Sequence, residues 1–435
     1  MTAHPNAHPD SHPIPQEQDY PLSPVPMDQR KSVWSMGLIL LGFTFFTATM
    51  WAGGSVGVSF DFTTMLLVLA VGNLLLGLYA AALGYIAAKT GLNTALMSRF
   101  TFGELGSKLS DVILGFTQIG WYAWGTATMA ILLVKLTGVS ESLTTPLMVL
   151  FGFGFCVTAF IGYRGLKWLS RIAVPAMIIL VAVSMSIATD AAGGLSGLLA
   201  ITPTDDMTVA AAITLVFGTF VSGGTQATNW TRFAKSGRTA VIATLLAFFL
   251  GNGLMTLIGA FGALVYQQAD IVDIMVAQGL ATLGILMLFL NLWTTQDNTV
   301  YNFAVAGCNL LRTRRRKMVT VAGAAIGTLL AVMGMYEWLI PFLVLLGTFI
   351  PPIGGVIMAS YFVGYRQRYP DVTTATLPAF NAPGLAAYVI GSTVAYTSPW
   401  IAPIVGVLVA ATAYSAILVV SQAVRERRAQ VLGAL

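Results

Sequence analysis

Apolar positions along this chain come in long uninterrupted blocks, without the alternation of a strand or the one-sided stripe of a surface helix. The blocks run at 33–57, 62–88, 109–134, 143–163, 169–189, 207–228, 239–266, 272–304, 318–335, 338–363, 383–397 and 400–422, separated by short polar segments. A helix of roughly 20 apolar residues crosses roughly 30 Å of hydrocarbon, so the pattern predicts about twelve membrane-spanning helices. The eleventh is short, and it meets the twelfth at Thr397-Ser398-Pro399.

Two blocks carry interruptions that a simple anchor has no use for. The first contains Gly42, then Trp51-Ala52-Gly53-Gly54-Ser55 and Gly57, and the sixth contains Phe217-Gly218-Thr219-Phe220-Val221-Ser222-Gly223-Gly224-Thr225. They lie five blocks apart, each heading a unit of five. Discontinuous helices at matching places in two halves mark inverted-repeat transporters, and an odd number of spans makes the second unit enter the membrane from the opposite side. The division expected is a disordered cytoplasmic tail over 1–30, a first repeat over 31–190, a second over 207–363, two further helices over 383–422, and a cytoplasmic tail over 423–435.

Composition and charge sharpen this picture. Hydrophobic residues make up 56% of the 435 and charged residues 9%, against roughly 25% charged in soluble domains. With the first residues placed inside, 21 of the 22 basic residues fall on one side, Lys135 being the exception, while Asp61, Glu141, Asp190, Asp205, Asp206, Asp270, Asp273 and Glu337 fall on the other. A miscounted span would invert every later loop, so positive-inside bias supports twelve spans with both termini cytoplasmic. The net charge of +5 forms no nucleic-acid patch; the cluster Arg312 to Lys317 suits nucleic acid or anionic lipid, but topology alone accounts for it. His4, His8 and His12 all lie in the polar first dozen residues, and Cys156 and Cys308 sit in apolar segments with no metal-ligand spacing.

Polar side chains inside the blocks point to cargo. The third carries Gln118, Trp121 and Trp124, and the eighth carries Asn291, Trp293, Thr294, Thr295, Gln296, Asp297 and Asn298. Such groups are costly in lipid and belong in the bundle interior or a wet cavity. Carboxamides both donate and accept, which suits the edge of a heterocycle, and faces such as those of Trp121 and Phe220 suit stacking on its plane. Each group also has a plainer use: Trp as interfacial belt, Asn and Gln as glue between helices. Asp297 reads either as a proton-relay or cation group or as a locally neutralised carboxyl. Neither intramembrane His nor HExxH is present to suggest an enzyme.

The segments LGFTFFTATMWAGG (41–54), GNLLLGLYAAALGYIAAKTGL (72–92), RFTFGELGSKL (99–109), TQIGW (117–121), DIVDIMVAQGL (270–280), LNLWTTQDN (290–298) and IPPIGGVIMASYF (350–362) resemble the nucleobase–cation symporter family, most nearly its bacterial cytosine permeases. The resemblance implies an all-α integral membrane protein with a 5+5 inverted-repeat core plus two C-terminal helices. It also implies import of a nucleobase, coupled to sodium, through the cell inner membrane by a monomer surrounded by lipid bilayer. It further implies Gln118, Trp121, Phe220, Ser222, Asn291 and Gln296 as base-binding positions. For sodium it implies backbone near Gly42 and Phe46 with Asn291, Thr294 and Thr295. Gln296 stands where the cytosine permeases carry Asn, and Asn229 and Ser360 stand where Asp is expected, so other pyrimidines, purines and hydantoin-like rings stay open, as does coupling to protons.

Overall fold

The computed structural model describes residues 20–268 and 271–433; His4, His8, His12 and Asp270 lie outside them. Helix dominates, and among the described residues the only β-type pairing is an isolated bridge between Lys31 and Ala234. Each of the twelve apolar blocks is a helix or an interrupted helix. Among the described residues seven are long and apolar enough to cross a membrane unaided, and two more qualify as bent pairs, Val33–Thr44 with Thr47–Ser59 and Val209–Gly218 with Val221–Thr231. Arg316–Val332 and Ala382–Thr397, at 17 and 16 residues, are short for a span, and Ala281–Leu311 carries the polar run at its middle. The spans are numbered one to twelve below.

Local chemistry sets the ends. The Asp61 carboxylate accepts from the backbone N–H groups of Thr63 and Thr64 at 3.0 and 3.1 Å and so starts the second span. That span stops at Gly91, whose φ of 76° closes the helix in the left-handed region. The glycines of the first span serve close packing. A Cβ on Gly53 would stand 2.0 Å from the carbonyl oxygen of Thr256, and one on Gly57 2.1 Å from that of Ala260. Gly259 returns the arrangement, with a Cβ there 2.0 Å from the carbonyl oxygen of Met50. Spans one and seven therefore meet backbone to backbone, as small residues allow in membranes.

One short helix escaped the sequence reading, and a second was read as the start of the eighth block, 272–304, whose long helix begins only at Ala281. Thr94–Phe102 follows the second span and Ile271–Ala277 follows the seventh. They occupy the same place in each five-helix unit, which is what an internal repeat requires.

The basic face is closed by the segment expected to be tail. From Tyr20 onward it is packed: Val25 is buried and donates its N–H to the carbonyl of Gly91 at 3.0 Å. Arg30 donates to the carbonyls of Val25, Ala88 and Ala234 at 3.1, 2.9 and 3.0 Å. The reason is that helix ends leave orphan carbonyls, and one guanidinium gathers those of spans two and six. At the other end of the chain, helix Ala402–Gly433 runs through most of the segment expected to be the C-terminal tail.

Candidate functional site

The first span breaks at Phe45 and Phe46, both extended (φ −73°, ψ 94° and φ −132°, ψ 127°), and turns by 59°. The break thus precedes the paired glycines by a helical turn or more. The sixth span breaks at Thr219 and Phe220 and turns by 46°. Irregular backbone at this depth must be buried in protein or line a cavity, and here both conditions hold.

Between the two breaks lies a small cavity of about 10 Å³, lined by Phe43, Phe46, Gln118, Trp121, Thr219, Phe220, Ser222, Gly223, Thr295 and Thr299. Four of the six residues expected at the base site, Gln118, Trp121, Phe220 and Ser222, meet there. The volume suffices for about one water. Phe46 stands edge-on to both aromatic walls, its ring centroid 5.2 Å from that of Trp121 and 6.1 Å from that of Phe220. Phe342 packs on the far side of Trp121 at 5.5 Å. The amide nitrogen of Gln118 is buried and has no hydrogen-bond partner, and an unmade bond of that kind is costly.

Asn291 and Gln296 stand behind this cavity, outside its lining. Asn291 donates to the carbonyl of Phe45 at 2.6 Å and accepts from the Thr47 hydroxyl at 2.7 Å, gripping both sides of the first break. Gln296 donates to the carbonyl of Trp121 at 3.2 Å, and a Cβ on Gly125 would collide with its amide. The extra methylene of Gln over Asn is therefore spent reaching along the third span.

Neutral oxygens gather where spans one and eight cross. Thr295 donates to the carbonyls of Phe45 at 3.0 Å and Asn291 at 3.1 Å, and Thr294 donates to that of Asn291 at 2.8 Å. Hard cations take oxygen ligands of this kind. The carbonyl of Phe45 is the one turned to the eighth span; that of Phe46 accepts from Thr49 at 2.7 Å within its own helix. Gly42 packs on the fifth span, where a Cβ would stand 2.4 Å from the Ser170 hydroxyl oxygen, itself buried without a hydrogen-bond partner.

A polar network unread in the sequence braces the second break. Asn252 donates to Asn73 at 2.8 Å and to the Thr219 hydroxyl at 3.1 Å, and Asn73 donates to Thr256 at 3.1 Å. The signal was available, since Asn73 and Asn252 are carboxamides in otherwise apolar spans. Asp297 is also buried; it accepts from the Thr158 hydroxyl at 2.8 Å and from the Asn298 amide at 3.0 Å.

Above the site, on the face opposite the basic one, a vestibule of about 1030 Å³ opens between Trp51, Trp124, Tyr336, Tyr396 and Trp400. Lys135, the basic residue out of line with the others, lines it and pairs with Asp273 at 3.1 Å. Its floor residues Ala48, Trp124 and Gly218 adjoin the cavity walls, and the contact of Phe46 with Trp124, at 5.5 Å, separates the two spaces.

Comparison with known proteins agrees with this fold. A family described as permease for cytosine/purines, uracil, thiamine, allantoin matches residues 24–424. The cytosine permeases of Escherichia coli K12 and O157:H7 are each 39% identical over 399 residues, covering 92% of this chain and 94% of theirs. Among solved structures, Mhp1, a nucleobase-cation-symport-1 family transporter closed on bromovinylhydantoin, superposes with a TM-score of 0.82 at 19% identity, covering 91% of this chain and 94% of its own. A Na+-coupled sialic acid symporter in an outward-open state superposes with a TM-score of 0.67 at 14% identity, covering 92% of each chain. These two likenesses establish the fold.

Proposed function

The chain belongs to the permease family for cytosine/purines, uracil, thiamine and allantoin, and from that premise we propose that it imports a nucleobase, cytosine in first place, by sodium-coupled alternating access. It is a multi-pass membrane transporter and not an enzyme. The observation that carries the finer reading is the meeting of Gln118, Trp121, Phe220 and Ser222 around one cavity between two helix breaks.

In this reading the basic face is cytoplasmic, the membrane is the cell inner membrane, and the protein works as a monomer. The base descends the vestibule and lodges between Trp121 and Phe220. The ring contacts that Phe46 now makes there are worth about 0.5–1.5 kcal/mol each, comparable with the ~1–3 kcal/mol of a stacked base, so ligand can replace them. Gln118 and Ser222 read the ring's edge, and the unpartnered amide of Gln118 gains the bond it lacks. Asn291 and Gln296 act from behind, one fixing the first break and the other the backbone under Trp121. Sodium takes the oxygens of Phe45, Asn291, Thr294 and Thr295. Release follows when the strap centred on Arg30 lets the basic face open.

A second reading is favoured by one observation: Asp297 is a buried carboxyl whose hydrogen bonds come from neutral groups, which suits proton coupling and transport of another purine, pyrimidine or hydantoin-like ring. Uptake of labelled cytosine into proteoliposomes separates the two. A sodium gradient should accelerate uptake severalfold at constant pH. Indifference to sodium, with uptake driven by a pH gradient, removes the sodium reading, and competition by a panel of bases ranks the cargo.

A further inference from the structure

We propose that the corner where the turn between spans four and five meets the start of span nine is a binding site for the phosphate headgroup of an anionic phospholipid. Arg316 ties the two turns together: its guanidinium donates to the carbonyls of Ala159 at 2.8 Å and Phe160 at 3.2 Å, the last turn of the fourth span. Lys317 sits 5.0 Å from the centre of the Phe160 ring. This brings the run Arg314 to Lys317 beside the run that starts at Arg164.

The charge at this corner is uncompensated. No Asp or Glu stands between Glu141 and Asp190 or between Asp297 and Glu337. Arg164, Arg171, Arg314, Arg315 and Lys317 are exposed, and none has a carboxylate partner among the described residues. By contrast, Arg99 and Arg312 on the same face share Glu104. A topological role needs basic residues on one side, but it does not need two loops bound together by a buried arginine with the remaining cations exposed around it.

The surroundings choose the ligand. Exposed apolar side chains, Ile161, Trp168, Met318 and Ile172, lie on the same helix ends as the cations, giving acyl chains apolar surface close to the charged groups. A soluble anion has no use for such a surface. Guanidinium groups grip phosphate in paired hydrogen bonds, and basic clusters at a membrane surface draw anionic lipid.

The test uses the full-length protein in detergent, with native mass spectrometry reading lipid bound after titration with phosphatidylglycerol or phosphatidylcholine. The parent is expected to retain phosphatidylglycerol selectively. Arg314→Gln/Arg315→Gln/Lys317→Gln should bind it roughly a hundredfold more weakly, from the attraction each charge supplies. Arg366→Gln/Arg368→Gln, on the same face, should bind like the parent. Equal retention by the triple variant, equal binding of phosphatidylcholine, loss in the control, or displacement by excess inorganic phosphate would each overturn the proposal. If the triple variant does not fold, Arg315→Gln and Lys317→Gln are measured singly, and undiminished binding in both overturns it equally. The readout is bound lipid, so it stands apart from the assignment of the transported base.

Discussion

Gln118 and Trp121 sit three residues apart on the third span, one turn of helix, and so present an amide and an indole to the same cavity. Trp121→Ala removes a wall and is expected to abolish base uptake with expression unchanged; uptake at the parent rate would take Trp121 out of the site. A second residue-scale prediction concerns Asp61, whose carboxyl is held below its ordinary value by the Thr64 side chain and then by backbone N–H groups. A depressed carboxyl contributes stability above its unfolded value, about 3.9, and loses it as pH falls through the folded one. Asp61→Ala should therefore cost about 1 kcal/mol of unfolding free energy at neutral pH, with the difference from the parent shrinking below about pH 4. Side chains of this kind were legible because amides, carboxyls and indoles stand out in apolar blocks. The carbonyl of Phe45 was not, since a main-chain acceptor has no letter in the sequence, and neither was the orientation that puts Asn291 and Gln296 behind the cavity instead of in it.

At the scale of elements, the two bent spans are where sequence and structure part most instructively. Paired glycines pointed to the right helices but to the wrong turn of the first, because glycine serves both unwinding and close approach. Here Gly53 and Gly57 serve approach, and the extended step falls on two phenylalanines. Gly53→Leu should consequently act through packing: loss of folded protein, read as a collapsed monodisperse peak on size-exclusion chromatography. A selective change in base affinity with normal folding would return the glycine to the site. Thr295→Ala, in contrast, should fold normally and weaken sodium stimulation of uptake more than base affinity at saturating sodium. If both fell together, Thr295 would belong to base recognition alone. The short helix Thr94–Phe102 went unread because it is too brief for its periodicity to rise above the loop around it, and Ile271–Ala277 was merged with the eighth block because both are apolar.

Across the whole molecule, one face is open and the other shut. The vestibule reaches down to the aromatic floor while Arg30 gathers helix ends below. Ser55 lines the vestibule, and the native cysteines are both buried, so Ser55→Cys should react with a membrane-impermeant thiol reagent added outside and be slowed by saturating base. Labelling indifferent to base would separate the vestibule from the transport path. Twelve apolar blocks and their one-sided basic loops made this architecture visible in advance, because hydrocarbon imposes length and charge rules on every span. Which face stands open is a matter of packing between helices and leaves no such trace.

The extended pair at the first break has one more consequence. Its first member offers a main-chain oxygen to the eighth span, and its second offers a ring to the central cavity, with a single peptide plane between them. Planarity makes that peptide one rigid unit: a backbone rotation that carries the ring also turns the oxygen, while rotation of the ring about its own side-chain bonds leaves the oxygen in place. Under the proposed function, the base and the cation meet on the two sides of this one peptide unit, so a backbone movement there reaches both.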